Sequence, residues 1–514
     1  MTTSPSTAAP MSSTSLGRWL LLTAVVSLLM RLWISVALPI TGDEALFYWW
    51  SVFLDWGYYD HPPMVAWWIA PMRALLGDAT WSIRLPVVLL PLGVGWALWW
   101  GLSSINRERA AWAVLFYWLT PIAWLNALIT TDTPVIFWSA WSVAALIRAQ
   151  QAISQGRRAW GLYALSGLFL GAAVLSKYFA VLLGLSYLVY FALFNRAAWR
   201  GFVVLAVCAV PAVLVNIGWN LTHCWTNIMF NLYNRNEGAE FSWTTPALYV
   251  LMMAYLVSPA ALWLGFKHRR EVLGTLGRHT LLACVVLVPL LCFGLMSAKK
   301  VIGLHWVMAF YPFIFVLLAW ALPSHRLMSC ARGLALFLAL HVVAVLALSM
   351  TSLHQWQSLK MYPRLVQGFR SEQMLAKVQA PGVVMMSNGY TPSSIYGYAQ
   401  KAHMPVFGLG SLHARQDDLI VDYAAYQGRT IRIIQHNPPN LDDYRPYFAA
   451  VKVLDFKQDG FTYYAVEGVG FDYPAYRRGV MGEINRRYYR FPSWLPVWGC
   501  AFCQRYCGAA RCTP

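Results

Sequence analysis

Residues 42–63 read GDEALFYWWSVFLDWGYYDHPP, four acids and one histidine set among eight aromatic residues directly after the first long apolar segment. A charge beside a bilayer costs free energy unless it faces water, a partner or a substrate. Asp43, Glu44, Asp55, Asp60 and His61 are therefore candidates for chemistry at a membrane face. The alternative is an interfacial belt, in which Trp and Tyr anchor a loop and the acids are merely solvated. The adjacent Asp43-Glu44 pair and the His61-Pro-Pro run weigh toward chemistry.

Outward from that stretch, the 514 residues are 59% hydrophobic and 15% aromatic, with mean hydropathy +0.48, which predicts a polytopic α-helical membrane protein. Residues 16–40 exceed the roughly 20 residues a helix needs to cross a bilayer, and no small-residue cleavage site follows them. They read as an uncleaved first span, and residues 1–15, rich in Ser, Thr and Ala, as a disordered cytoplasmic tail. A net charge of +18 would suggest nucleic acid in a soluble chain, but here the basic residues fall in short loops between apolar runs. That distribution reports topology.

Apolar runs predict about eleven spans, near 17–40, 82–102, 109–127, 132–149, 159–176, 178–194, 201–219, 246–266, 279–297, 303–321 and 332–350. Alternate connections hold Arg107 and Arg109, Arg148, Arg157 and Arg158, Arg196 and Arg200, Lys267 to Arg278, then Arg326 and Arg332. The remaining connections hold far fewer basic residues. This asymmetry predicts an inside N-terminus and, with an odd span count, an outside C-terminal region. From residue 351 the pattern turns polar and mixed, with strands expected at 382–386, 405–408, 430–435, 451–456 and 461–466 and a helix at 392–402. The domain organisation expected is a tail (1–15), a membrane domain (16–350) and an outer α/β domain with a Cys-rich end (351–514).

Three further outer connections carry ionisable residues that apolar packing does not explain. In Asn126-Ala-Leu-Ile-Thr-Thr-Asp132-Thr-Pro134, Asp132 also suits a helix N-cap. Lys177 sits at the tip of a tight hairpin and, against the inside bias of positive charge, suits an anionic ligand; a snorkelling end residue is the alternative. Lys299, Lys300 and His305 form another basic outer group, suited to headgroups or to the same phosphate as Lys177. Carboxylates and cations together fit transfer from a lipid-phosphate donor. Cations stabilise the departing phosphate, and a carboxylate takes the proton of the attacking hydroxyl.

The ordered motifs GDEA, GYYDHPPMVAWWI, TTDTP, GLFLGAAVLSKYFAVLLG and HWVMAFYP resemble the bacterial family 39 glycosyltransferases with the protein-mannosyltransferase-type membrane domain, relatives of the lipid A aminoarabinose transferases. The resemblance covers about residues 18–350. It implies a GT-C-like fold with juxtamembrane helices in the first outer loop. It also implies a polyprenyl-phosphate-linked sugar donor and an envelope acceptor, which could be lipid A or lipopolysaccharide, a surface glycan or a protein. By motif, Asp43 resembles the catalytic first-loop aspartate with Glu44 its neighbour, Asp132 the second-loop aspartate, and Lys177 a lysine of the donor cavity. Where the aminoarabinose branch has a phosphate-binding lysine, this chain has His61, preceded by Asp60. Residues 488–496, YYRFPSWLP, resemble the end of many bacterial members, whose outer domain helps enclose the acceptor side. Some GT-C enzymes use a divalent cation, for which Asp43 and Glu44 would supply oxygen ligands, and others use none. The implied location is the bacterial inner membrane, multi-pass, with a periplasmic C-terminal domain. The competing class is a polyprenyl-linked glycan transporter or flippase, for which only Arg31 and His341 stand within spans.

Of nine cysteines, Cys208, Cys224, Cys284, Cys292 and Cys330 read as inert thiols in or beside spans. Cys500, Cys503, Cys507 and Cys512 read as two disulfides on the outer side, or as a zinc site if the span parity shifts by one.

Overall fold

A computed structural model describes residues 13–236 and 240–508. Among the described residues, five helices are long and apolar enough to cross a membrane: Ser15–Ala37, Thr80–Leu102, Arg196–Thr222, Thr280–Ser297 and Ser324–Ser349. A sixth results if Thr244–Val257 and Pro259–Lys267, bent by 93°, count as one span. Helix length alone therefore does not reproduce eleven spans. The expected span 109–127 splits at Thr120-Pro121 into Arg107–Trp118 and Pro121–Leu125, and 303–321 becomes α-helical only from Tyr311. The expected span 246–266 is likewise two helices. Ser258 takes a positive φ of 75°, its Oγ accepts the Ala261 N–H at 3.3 Å, and Pro259 opens the second helix.

The chain divides into two compact units. One takes in the chain up to Ala37, Trp81–Leu214 and the segment ending at Ser349; the other takes in Leu38–Thr80, the segment beginning at Val215, and the chain from Met350 on. By packing, the first loop groups with the C-terminal region.

In the helical unit, Arg31 is almost fully buried and serves the backbone. Pro91 lacks an N–H, which leaves the Val87 carbonyl without its helical donor, and Arg31 Nη2 donates to that carbonyl. Its Nε donates to Val88 O at 3.0 Å, and its Nη1 to Ala123 O at 3.0 Å. His341 bonds Tyr255 Oη at 2.5 Å and Phe337 O at 2.7 Å.

The second unit is built on a four-stranded sheet: β1 (Val384–Ser387), β2 (Ile431–Gln435), β3 (Phe448–Gln458) and β4 (Phe461–Phe471), in the order β1-β2-β4-β3. β1 and β2 are parallel, and the other pairs are antiparallel. β3 and β4 form a hairpin closed by Asp459 and Gly460, both at positive φ. The central β2 is buried along its whole length, as a strand covered on both faces must be. The expected strand 405–408 is reduced to one bridge, Ser387 to Val406, because the chain turns at Gly408 with φ 84°. Ile431, Ile433 and Val466 face a core with Tyr59, Trp219 and Phe230, which anchors the first loop beneath the sheet.

Cys500 is bonded to Cys224 and not to another terminal cysteine, so Cys224 is a bridge partner where an inert thiol was expected. Cys224, at the turn after the Trp199–Thr222 helix, adopts φ 59°. Cys507 is also disulfide-bonded, Cys503 is buried, and Cys512 lies outside the described residues. Sulfurs of Cys224, Cys500 and Cys503 do cluster, but two of them are consumed by the bridge, so a zinc site of thiolates does not fit.

Candidate functional site

The first loop folds as two helices, Gly42–Val52 and Met64–Leu76. Thr41 starts the first through a reciprocal cap. Its Oγ1 accepts the Glu44 N–H, while Glu44 Oε2 accepts the Thr41 N–H at 3.1 Å and the Thr41 hydroxyl at 3.0 Å. Glu44 is thereby fully buried and structural, whereas Asp43, its neighbour on the helix, is exposed. The pair points in different directions and does not present a joint set of oxygen ligands, so a divalent cation shared by Asp43 and Glu44 does not fit this arrangement.

Asp43 Oδ1 accepts a hydrogen bond from the Tyr390 hydroxyl at 3.3 Å. Tyr390 opens the Tyr390–Gln400 helix, which lies beside the Gly42–Val52 helix; Trp49 Nε1 donates to Ser394 O at 3.3 Å, and Tyr48 meets Tyr398 edge-on. Protein mass around the Asp43 carboxyl raises its pKa, the Tyr390 hydrogen bond and His413 oppose that, and Glu44 adds to it. The Tyr390 phenol, pushed up to about 12 chiefly by burial, remains a donor. Gly42 is what lets the two helix starts meet, since a Cβ there would stand 2.5 Å from Thr391 Cγ2. Gly42→Val is expected to lower stability by about 1–3 kcal/mol through this overlap and to part Tyr390 from Asp43. Thermal unfolding of the purified variant checks the first part; an unshifted midpoint would disprove it.

Asp60 is 5% exposed, and its Oδ1 has no hydrogen-bond partner among the described residues. Burial pushes its pKa up to about 7, Asp43 adds to this, and Arg235 opposes it. The native state therefore binds a proton that the unfolded chain has released, and stability falls as pH rises from about 4 to about 7. Asp60→Asn is expected to flatten that slope and to raise stability near pH 8 by a few kcal/mol, at about 1.4 kcal/mol per unit. Melting curves at pH 5 and pH 8 test it; equal slopes in both proteins would contradict it. His61 packs its ring against Phe47 and Trp50. Asp55 is engaged structurally, accepting Trp219 Nε1 at 2.9 Å and its neighbour's N–H at 2.7 Å. Beside Tyr390 lies a narrow recess of about 10 Å³, lined by Gly408, Ser411, His413, Ala414 and Arg415 among others.

In the helical unit, Asp132 opens the Asp132–Ser154 helix, and Lys177 follows the Trp160–Val174 helix. Lys177 Nζ donates to Asp132 Oδ1 at 2.7 Å, with each residue 7% exposed. A buried carboxylate so paired is a counterion before it is a base. Lys177 Nζ also lies 5.7 Å from the Phe179 ring, and Phe179 packs on Trp306 at 4.7 Å and on Phe293 at 5.2 Å. Lys300 Nζ is 5.8 Å from the Trp306 ring, against which His305 also packs, at 6.3 Å. One aromatic cluster thus gathers Lys177, Lys300 and His305, while Lys299 projects outward, exposed. Tyr390, His413, Arg235 and Phe179 carry no sequence signal of their own; only packing brings them to these places.

Residues 60–219 match the family model described as dolichyl-phosphate-mannose-protein mannosyltransferase. The lipid A galacturonosyltransferase RgtD of Rhizobium johnstonii is 29% identical over 230 residues, 41% of this chain and 48% of that protein. The chain thus spans about half the length of this curated relative. The structure of ArnT from Cupriavidus metallidurans in the apo state matches with a TM-score of 0.64 at 14% identity, covering 88% of this chain and 98% of that one. The same protein bound to undecaprenyl phosphate matches at 0.59 over the same shares. At this identity the likeness concerns the fold.

Proposed function

Because the chain has the GT-C-type fold of ArnT and carries a membrane segment of the dolichyl-phosphate-mannose-protein mannosyltransferase family, we propose that it is an integral-membrane glycosyltransferase. It moves a sugar from a polyprenyl-phosphate donor to a hydroxyl or phosphate of an envelope acceptor, at the periplasmic face of the bacterial inner membrane. The observation that carries this reading is the chemistry of the two clusters. An exposed carboxylate is held at a capped helix start by a phenol, and buried and half-buried lysines stand on an aromatic platform.

In the reaction, Asp43 takes the proton of the acceptor hydroxyl as its oxygen bonds to the anomeric carbon. The bond from that carbon to the phosphate oxygen breaks, and a single displacement inverts the centre. Within the helical unit, Lys177, Lys300 and His305 gather on one aromatic cluster suited to a lipid phosphate as its charge grows, and the exposed Lys299 suits anionic headgroups. Phe179 and Trp306 receive the prenyl chain or the sugar face. Asp60 and His61 line the sugar side. On this reading the N-terminus is cytoplasmic and the sheet domain periplasmic, which the uneven distribution of basic residues among the loops supports. A transporter reading finds no support in Arg31, whose donors are spent on backbone carbonyls.

The test is mass spectrometry of envelope lipids and glycans from a deletion strain, with and without the intact gene. Accumulated polyprenyl-phosphate monosaccharide, with loss of one sugar from an envelope acceptor, is the expected result. A larger lipid-linked glycan building up instead would replace transfer with transport.

A further inference from the structure

The segment before the Cys224–Cys500 bridge presents two large apolar rings to its surroundings, Trp494 at 77% and Trp498 at 76% exposed. Such exposure in a loose tail would mean little, but this segment is fixed. The N–H groups of Trp498 and Gly499 donate to Leu221 O at 2.9 and 3.3 Å, and Pro496 O accepts Trp225 Nε1 at 2.7 Å. Phe491, Leu495 and Val497 turn inward against Leu221, Trp225 and Met229. The rings that face outward therefore do so because their neighbours are held inward.

All these attachments converge on the place where the helix Trp199–Thr222 ends. That helix is apolar and exposes Val207, Val210 and Leu214, as a span in lipid does. A second aromatic segment reaches the same end. Trp219 Nε1 bonds Asp55 Oδ2, and beside Asp55 the side chains of Leu54 and Trp56 are exposed. Exposed aromatic and aliphatic groups on segments attached at the end of a span suit headgroup depth, where indole, with an apolar ring and a polar N–H, is best accommodated.

We propose that Trp494 and Trp498, together with Leu54 and Trp56, form a docking surface that lies in the headgroup region of a phospholipid bilayer and holds the sheet-bearing unit on the membrane. Continuity with a lipid-exposed span selects the bilayer over a protein partner. The Cys224–Cys500 bridge ties this surface to the end of that span.

The experiment places the photo-reactive residue p-benzoylphenylalanine at position 56, 494 or 498 of the full-length chain. The protein is reconstituted in vesicles of phosphatidylethanolamine and phosphatidylglycerol, irradiated, and its peptides are analysed by mass spectrometry. The same probe at Lys452, exposed on β3, is the control. Phospholipid adducts several-fold above the control are expected at each of the three positions that yields folded protein. Adduct yields no greater than the control, or adducts to a second polypeptide in place of phospholipid, would overturn the proposal. Neither outcome depends on sugar transfer.

Discussion

Asp43→Asn is expected to cut sugar transfer by about 10²–10⁴-fold, the contribution of a positioned general base, while the protein remains folded in the membrane. Asparagine keeps the shape of the side chain and an oxygen that can still accept from Tyr390. The cap made by Thr41 and Glu44 does not involve this carboxylate. What is lost structurally is one negative charge in the first turn of a helix, about 0.3–1 kcal/mol. Activity and stability should therefore separate cleanly. The deletion strain complemented with Asp43→Asn should accumulate the lipid-linked monosaccharide as the empty strain does, and the purified variant should unfold close to the parent temperature. Full restoration of the acceptor sugar by a well-expressed variant would remove Asp43 from the mechanism.

Lys177→Ala has the second large expected effect, and it is double. Removing the ammonium leaves Asp132 buried without its partner, which costs about 3–5 kcal/mol. It also removes a cation assigned to the donor phosphate, a loss of about tenfold or more in affinity for undecaprenyl phosphate. A second variant separates the two. Lys177→Met combined with Asp132→Leu removes both charges, and replacement of a buried pair by apolar groups of similar size is often neutral. The expected result is recovered thermal stability with donor binding still weak. Donor affinity at the parent level in the double variant would reduce Lys177 to a structural counterion.

Much of this was legible in one dimension because its cause is local. A run of apolar residues seeks lipid wherever it lies in the chain, so hydropathy marks the long apolar helices directly. Acids set among aromatic residues after the first of them mark a place where charge needs a reason. Motif order was enough to indicate the resemblance that residues 60–219 bear out, and the helix expected at 392–402, found at Tyr390–Gln400, and the strands around 431 and 461 followed from periodicity.

The rest depended on contacts between residues far apart in sequence. No local pattern distinguishes Glu44 as a cap from Asp43 as an exposed carboxylate; the helix turn that separates their directions does. Cys224 and Cys500 are 276 residues apart, and each pairs with a neighbour that only folding supplies. Tyr390 reaches Asp43 across 347 positions because Gly42 leaves room for Thr391. Amino-acid type and spacing thus determined that this chain carries long apolar helices, with acids and lysines gathered in particular loops between them. Which of those groups are exposed, paired or protonated was decided by tertiary packing, because burial and hydrogen-bond partners are properties of the surroundings.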